Sequence, residues 1–306
     1  MAIARSVGLA AAVVLDAALG DPARWHPVAG FGRAAQAAER ATYRSSRLVG
    51  VVHAGVLVAV PTAVVARAGR GGVARRVLVT ATCGWAALGG RSLRRTATRM
   101  AELVDDGDLP AARTLAQSLV ARRTEALDGA ELTRAALESL AENTADAEAG
   151  TLLWGAVAGA PGAVAHRTAN TLDAMVGYRS ARYERFGWGA ARLDDVLGLP
   201  AARVCAAATV VAAALCGEDA AGAWRAWRRD GARHPSPNAG RVEAAFAGAL
   251  GVTLGGANDY DGRVEERPRL GSGPPPDTAA LRRAVRLSAT TSAVLATAAV
   301  AVAAWR

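Results

Sequence analysis

An all-α, polytopic integral membrane protein is the fold class the sequence predicts, with several transmembrane or re-entrant helices and a polar helical middle region. Three observations carry that prediction. Uncharged runs flanked by arginine recur along the 306 residues, a polar stretch of helical periodicity lies between them, and 52% of the residues are hydrophobic although only 5% are aromatic.

A bilayer core of roughly 30 Å needs about 20 apolar helical residues. Leu48 to Ala66 lies between Arg47 and Arg67, and Leu287 to Trp305 between Arg286 and Arg306, the flank pattern of spanning helices. Spans are therefore expected near 48–66 and 287–305. Pro61 and His53 do not exclude the first, since membrane helices tolerate proline. A span near 6–19 follows from the apolar run after Arg5, which also has the form of a signal peptide. Val77 to Gly90 is short, about 21 Å as a helix, and spans by borrowing neighbours or snorkelling Arg76 and Arg91. Two further runs, 149–166 and 204–217, are expected to be re-entrant or broken. Gly159, Pro161 and Gly162 interrupt the first of these as in a helix lining a cavity. Residues 1–306 are read as one domain.

In the polar middle, Asp105 to Asp108 breaks the helical pattern, with Gly107 as a stop and Asp108 as a cap before Leu109 and Pro110. Leu132, Ala136, Leu137 and Leu140 recur at helical spacing and bury one face. Arg134, Glu138, Glu142 and Asp146 then form a drifting polar stripe. Three carboxylates at that spacing suit Mg²⁺ held by carboxylates, water and phosphate; a solvated face with an Arg134–Glu138 ion pair is the alternative.

Composition excludes several classes. All 36 basic residues are arginine, so a Walker A lysine and a Schiff-base lysine are both absent. Cys83, Cys205 and Cys216 lie in apolar stretches without metal or redox spacing. The net charge of +9 invites nucleic acid, but the arginines are scattered and few aromatics are present to stack bases, so no nucleic acid is expected.

Other polar clusters stand out. Asn170, Asp173 and Gly177 share a helix face, followed by Tyr178 and Arg179; a capped helix end is the alternative reading. Arg192, Asp194 and Asp195 follow, the two carboxylates pointing to different sides of a helix. His234-Pro235-Ser236-Pro237-Asn238-Ala239-Gly240 makes a rigid turn that starts a helix, with N–H groups open to an anion and Glu243 close behind; His234 is either a turn hydrogen bonder or a general base. Asp16, Asp21, Pro22, His26 and Pro27 make a polar knot near the N-terminus. Asp16 sits one turn inside an apolar helix end, where an ionisable group is costly and more often functional.

These stretches together resemble the CobD/CbiB family of cobalamin biosynthesis. The resemblance runs from Leu15-Asp16, Gly20-Asp21-Pro22 and His26-Pro27-Val28, through Glu138-Ser139-Leu140-Ala141-Glu142-Asn143 and Asn170-Thr171-Leu172-Asp173, to Ala191-Arg192-Leu193-Asp194-Asp195, His234 to Gly240 and Gly255-Gly256. Two departures stand out: Arg123 occupies a usually acidic position, and Asp146-Ala147-Glu148-Ala149-Gly150-Thr151 replaces a more apolar pattern.

The resemblance implies a multi-pass cell-membrane ligase of the adenosylcobinamide-phosphate synthase type, joining adenosylcobyric acid, a corrinoid, to aminopropanol phosphate or aminopropanol. It also implies that Asp16 is membrane-helix sequence rather than part of a signal peptide. Carboxylates and amines do not condense unaided, so ATP with Mg²⁺ is expected to activate the carboxylate. The expected metal ligands are Glu138, Glu142 and Asp146, with Asp173 and Asp194 as a second catalytic group, His234 or Glu243 as base, and Arg122, Arg179 and Arg192 as phosphate forks. Asp16, Asp21, His26, Asn143, Asn170, Tyr178, Asp195 and Asn238 complete the expected substrate site. A non-enzymatic membrane scaffold for other cobalamin-pathway enzymes is the competing function class, and the lipid bilayer a partner in either.

Overall fold

The computed structural model describes residues 2–22, 24–120, 123–178, 180–260 and 263–305. Along them run α1 (Ala2–Leu19), α2 (Pro27–Thr42), α3 (Arg47–Ala68), α4 (Val73–Leu88), α5 (Gly90–Asp105), α6 (Leu109–Ala116) and α7 (Gly129–Asn143). A π-helical turn (Thr144–Ala149) leads into α8 (Gly150–Val176), α9 (Tyr183–Phe186), α10 (Trp188–Cys216), α11 (Ala220–Asp230) and α12 (Ala239–Leu250). Strands β1 (Thr253–Tyr260) and β2 (Arg263–Gly271) precede α13 (Thr278–Trp305).

Four of these helices, α1, α3, α10 and α13, are long and apolar enough to cross a membrane. On α3, Leu48, Val52, Val56, Val60 and Val64 point outward. Such a stripe is unfavourable in water and at no disadvantage against lipid tails.

Three expectations change. The segment 77–90 falls mostly in α4, whose 16 residues rise about 24 Å, short of a bilayer core; α4 is not among the four. The segment 204–217 is the C-terminal half of the 29-residue α10, so it belongs to a helix of spanning length. The antiparallel hairpin β1–β2, with Leu254 opposite Leu270 and a bulge between Leu254 and Gly256, was not foreseen. Its glycines and charges blur the two-residue alternation that announces a strand.

The interruption expected in 149–166 is present. Gly159 has φ 69° and ψ −163° inside α8, a region open essentially to glycine, and Pro161 follows. Asp108 caps α6, accepting from the Ala111 N–H at 3.1 Å, after Gly107 at φ 74°. Helix α7 opens on a capping box between Asp128 and Glu131.

Two compact units interleave along the chain. Met1–Gly89, Asp146–Ala201 and Leu295–Arg306 form the first; Gly90–Ala145 and Ala202–Val294 form the second. In the first, α1 packs along α4, and α3 and α4 pack on α8. Small residues allow the close approach: a Cβ on Gly84 would lie 2.7 Å from that of Ala12, the contact that substitutes for hydrophobic drive between membrane helices. Ala35, Ala54, Leu172, Val176 and Phe186 form a core that draws in Phe31, Tyr43 and Met175. Buried Glu39 fastens the segment after α8 to this core, accepting from Arg182 Nη2 at 2.8 Å and Tyr183 Oη at 3.0 Å.

In the second unit, α12 packs on α7, α11 and the hairpin, burying Leu132, Leu137, Leu140, Phe246, Leu254 and Leu270. The hairpin is tied to α7 by polar bonds as well. Arg134 donates to the carbonyls of Gly255 at 2.8 Å and Ala257 at 3.1 Å, while Glu138 accepts the Gly255 N–H at 2.9 Å.

Candidate active site

In the first unit, the π turn, the C-terminal part of α8 and the N-terminal part of α10 bring carboxylates together. An α-helix would have kept Asp146 in line with Glu142; the wider π turn rotates it toward α8. There Asn170 Nδ2 donates to Asp146 Oδ2 at 3.1 Å. Asn170 also hydrogen-bonds Asp194, and its Oδ1 accepts from Arg167 Nη1 at 3.4 Å. One amide thus holds two acids and one guanidinium. Asp173 and Asp195 lie within electrostatic reach of the same group, and Arg192 Nη1 pairs with Asp195 Oδ2 at 3.3 Å.

Asn170, Asp173 and Gly177 do share one face. A side chain at Gly177 would collide with the Asp173 carboxylate, so glycine there leaves that carboxylate its place. Burial, with Asp146 and Asp195 adding repulsion, pushes the Asp173 carboxyl up to about 6. Burial likewise pushes Asp146 up to about 6, against the pull of Asn170 and Arg167. Both therefore titrate far closer to neutrality than an ordinary aspartate.

Arg167 was not among the residues singled out in the sequence, although it precedes Asn170 by one helical turn and so lies on the same face. Burial penalises its charge, and Asp146 and Asp21 offset that penalty. Asp21 Oδ1 also sits 3.3 Å from His26 Nε2, and His26 Nδ1 accepts the Val28 N–H at 3.1 Å, capping α2. These two residues therefore have a structural task at the helix entry, with Asp21 also in the field of Arg167. Asp16 is 4% exposed on α1, and Tyr178 is exposed just beyond α8. Arg122 and Arg179 lie outside the described residues.

The second unit holds the other candidates. Glu138, 15% exposed, pairs with Arg134, 11% exposed, at 3.3 Å and accepts from the hairpin, so its carboxylate serves as an anchor. Glu142 is exposed on α7. Asn143 turns back on its own helix, donating to the Ser139 carbonyl at 2.9 Å. Among the described residues no three His, Cys, Asp or Glu side chains gather in a metal-holding arrangement. Of the expected trio Glu138, Glu142 and Asp146, the hairpin engages the first and Asn170 the last.

Asn238 does begin α12, as expected, but the amides there are engaged: the N–H groups of Asn238 and Ala239 both donate to Ser236 Oγ at 3.2 Å. His234 Nδ1 accepts the Ser236 N–H at 3.1 Å, and Nε2 faces Arg267 Nη1 at 3.3 Å. The bond to the Ser236 N–H is the turn role expected of His234. Glu243 is buried within α12.

The family model described as CobD/Cbib protein matches residues 9–288. This chain belongs to the CobD/CbiB family. It is 53% identical over 285 residues to the cobalamin biosynthesis protein CobD of Mycobacterium tuberculosis, covering 93% of this chain and 91% of that protein. The CobD protein of Chromobacterium violaceum is 44% identical over 285 residues, covering 90% and 89%, and that of Geobacter metallireducens 42% over 286, covering 90% of each. No solved structure matches the chain. The family assignment places the protein in cobalamin biosynthesis, and the acid-rich group around Asn170 falls inside the CobD/CbiB match.

Proposed function

We propose that this CobD/CbiB protein is a carbon–nitrogen ligase of the cell membrane. It joins the carboxylate of adenosylcobyric acid to the amine of aminopropanol phosphate, or of aminopropanol, at the expense of ATP. The observation that carries the reading is the carboxylate group around Asn170, in a chain of a cobalamin-biosynthesis family.

The chemistry sets the requirements. The corrinoid carboxylate takes the terminal phosphoryl group of ATP, giving an acyl phosphate and ADP. The amine, an ammonium ion at neutral pH, must lose a proton before it attacks. As the C–N bond forms, the acyl C–O bond breaks and phosphate leaves.

A cluster of aspartates attracts the ammonium electrostatically, and a carboxylate titrating near 6 accepts its proton more readily than one near 4. Asp173 takes that part, while Asn170 holds Asp146 and Asp194 in place. Arg167, in the field of Asp146 and Asp21, keeps the cluster from repelling itself apart.

Mg²⁺ fits this group by donor chemistry. The cluster offers hard carboxylate oxygens, and the ion is satisfied by one or two of them completed by water and phosphate. Asp146 and Asp194 would hold it, and when bound it supplies charge neutralisation to the phosphoryl groups.

The test is amide formation by detergent-purified protein given adenosylcobyric acid and the amine, with and without ATP. Product and ADP should appear together only with ATP. Asp146→Ala and Asp173→Asn, each shown to be folded, should lose at least about 100-fold in rate. Full activity in both variants, or ATP-independent synthesis, would sink the proposal.

A further inference from the structure

Arg241 stands in the first turn of α12, half-buried, with its side-chain stem laid against Gly231: a Cβ there would be 3.1 Å from Arg241 Cδ. Its Nε is buried without a hydrogen-bond partner among the described residues. The ionisable groups that act on it are both cations, Arg203 from α10 and Arg228 from α11, and they add to the penalty burial imposes on its charge. Arg228 is itself steered over the Trp224 ring, 5.6 Å from the centroid. By contrast Arg229 and Arg233 are paired with Asp230 at 2.7 Å and 3.5 Å.

A half-buried guanidinium in the field of two other cations, with no acid partner among the described residues, is a costly arrangement. Guanidinium groups grip phosphoryl oxygens in bidentate fashion. Of the expected phosphate forks, Arg192 is paired with Asp195 at 3.3 Å. We propose that Arg241, with Arg203 and Arg228 beside it, forms a binding site for a phosphoryl anion of the substrates. The site rests on the ligase reading for its occupant, either the polyphosphate of ATP or the phosphate monoester on the amine, while its anion chemistry does not depend on that reading.

Binding is measured calorimetrically on the detergent-purified full chain, without corrinoid or turnover. One arm uses tripolyphosphate and the other aminopropanol phosphate, and the arm that binds more tightly names the source. Arg241→Gln should weaken binding at least tenfold in that arm, and Arg241→Lys, which keeps the charge but loses the fork, should fall between it and the parent. Arg225→Gln, whose arginine is exposed and paired with Asp219 at 3.3 Å, should bind as the parent does. In the absence of anion, Arg241→Gln should melt no lower than the parent, and it should lose the rise in Tm that the anion gives the parent.

Unchanged binding by a folded Arg241→Gln, an absence of binding by the parent in both arms, or failure of both Arg241 variants to fold would overturn the site. Retained anion binding in a protein that makes no amide would sink the ligase reading and leave the site standing.

Discussion

Replacing Asp173 by asparagine separates the energetic cost of the acidic cluster from its use. The Asp173 carboxyl titrates at about 6 instead of 3.8. Because the folded-state value lies above the unfolded one, the folded protein binds the proton more tightly between them. The stability this contributes is present below about pH 4 and is lost as pH rises through about 6. At about 1.4 kcal/mol per pH unit, the interval corresponds to an upper bound of about 3 kcal/mol at pH 7.5; solvent screening at a half-buried site lowers that to about 1–2 kcal/mol.

Asp173→Asn keeps the shape and removes the charge. Thermal unfolding in detergent should therefore show the variant more stable than the parent by about that amount at pH 7.5, with the difference vanishing near pH 4. The same protein should be nearly inactive in the amide assay. A stability difference that does not change between the two pH values, or a variant less stable at pH 7.5, would refute the electrostatic account of the cluster.

The break in α8 should be equally specific. Gly159→Ala, forced into φ 69° and ψ −163°, is expected to cost about 1–3 kcal/mol, read as a lowered Tm. The Arg134–Glu138 anchor is tested by a double-mutant cycle: each alanine variant alone should destabilise by about 1–3 kcal/mol, and the pair should cost less than the sum by 0.5 kcal/mol or more, on the order expected for contacting residues. Additive losses would show that the two do not act together on the hairpin. At the α1–α4 contact, Gly84→Val should destabilise by about 1–3 kcal/mol, whereas Gly55→Val, with nothing within 4 Å, should be close to neutral; equal effects would remove close packing as the reason for glycine at position 84.

Much of the helical framework was legible because its signals are local. Arginines bracket the apolar runs of α3 and α13, Asp108 and Gly107 mark the start of α6, and Gly159 with Pro161 marks the break in α8. The face shared by Asn170 and Asp173 follows from helix periodicity. The site was legible only in part. At 3.6 residues per turn Asp146 continues the Glu138–Glu142 stripe, and nothing in the residues 144–149 announces a π turn. His234 was open to two roles, and the structure shows the turn bond, with Nδ1 accepting the Ser236 N–H. Arg167 stands one turn from Asn170 at the end of an apolar run, where no local pattern marks it as a partner of carboxylates.

By itself, then, the sequence determined the apolar helices, their breaks and caps, and the family to which the motifs belong, since each depends on neighbours a few positions apart. Only the tertiary structure decided which charges meet: Asp146 with Asn170 and Asp194, Glu138 with the hairpin backbone, Arg241 with Arg203 and Arg228. Electrostatic neighbours from distant segments are set by packing and by the wider π turn, and no local pattern encodes them.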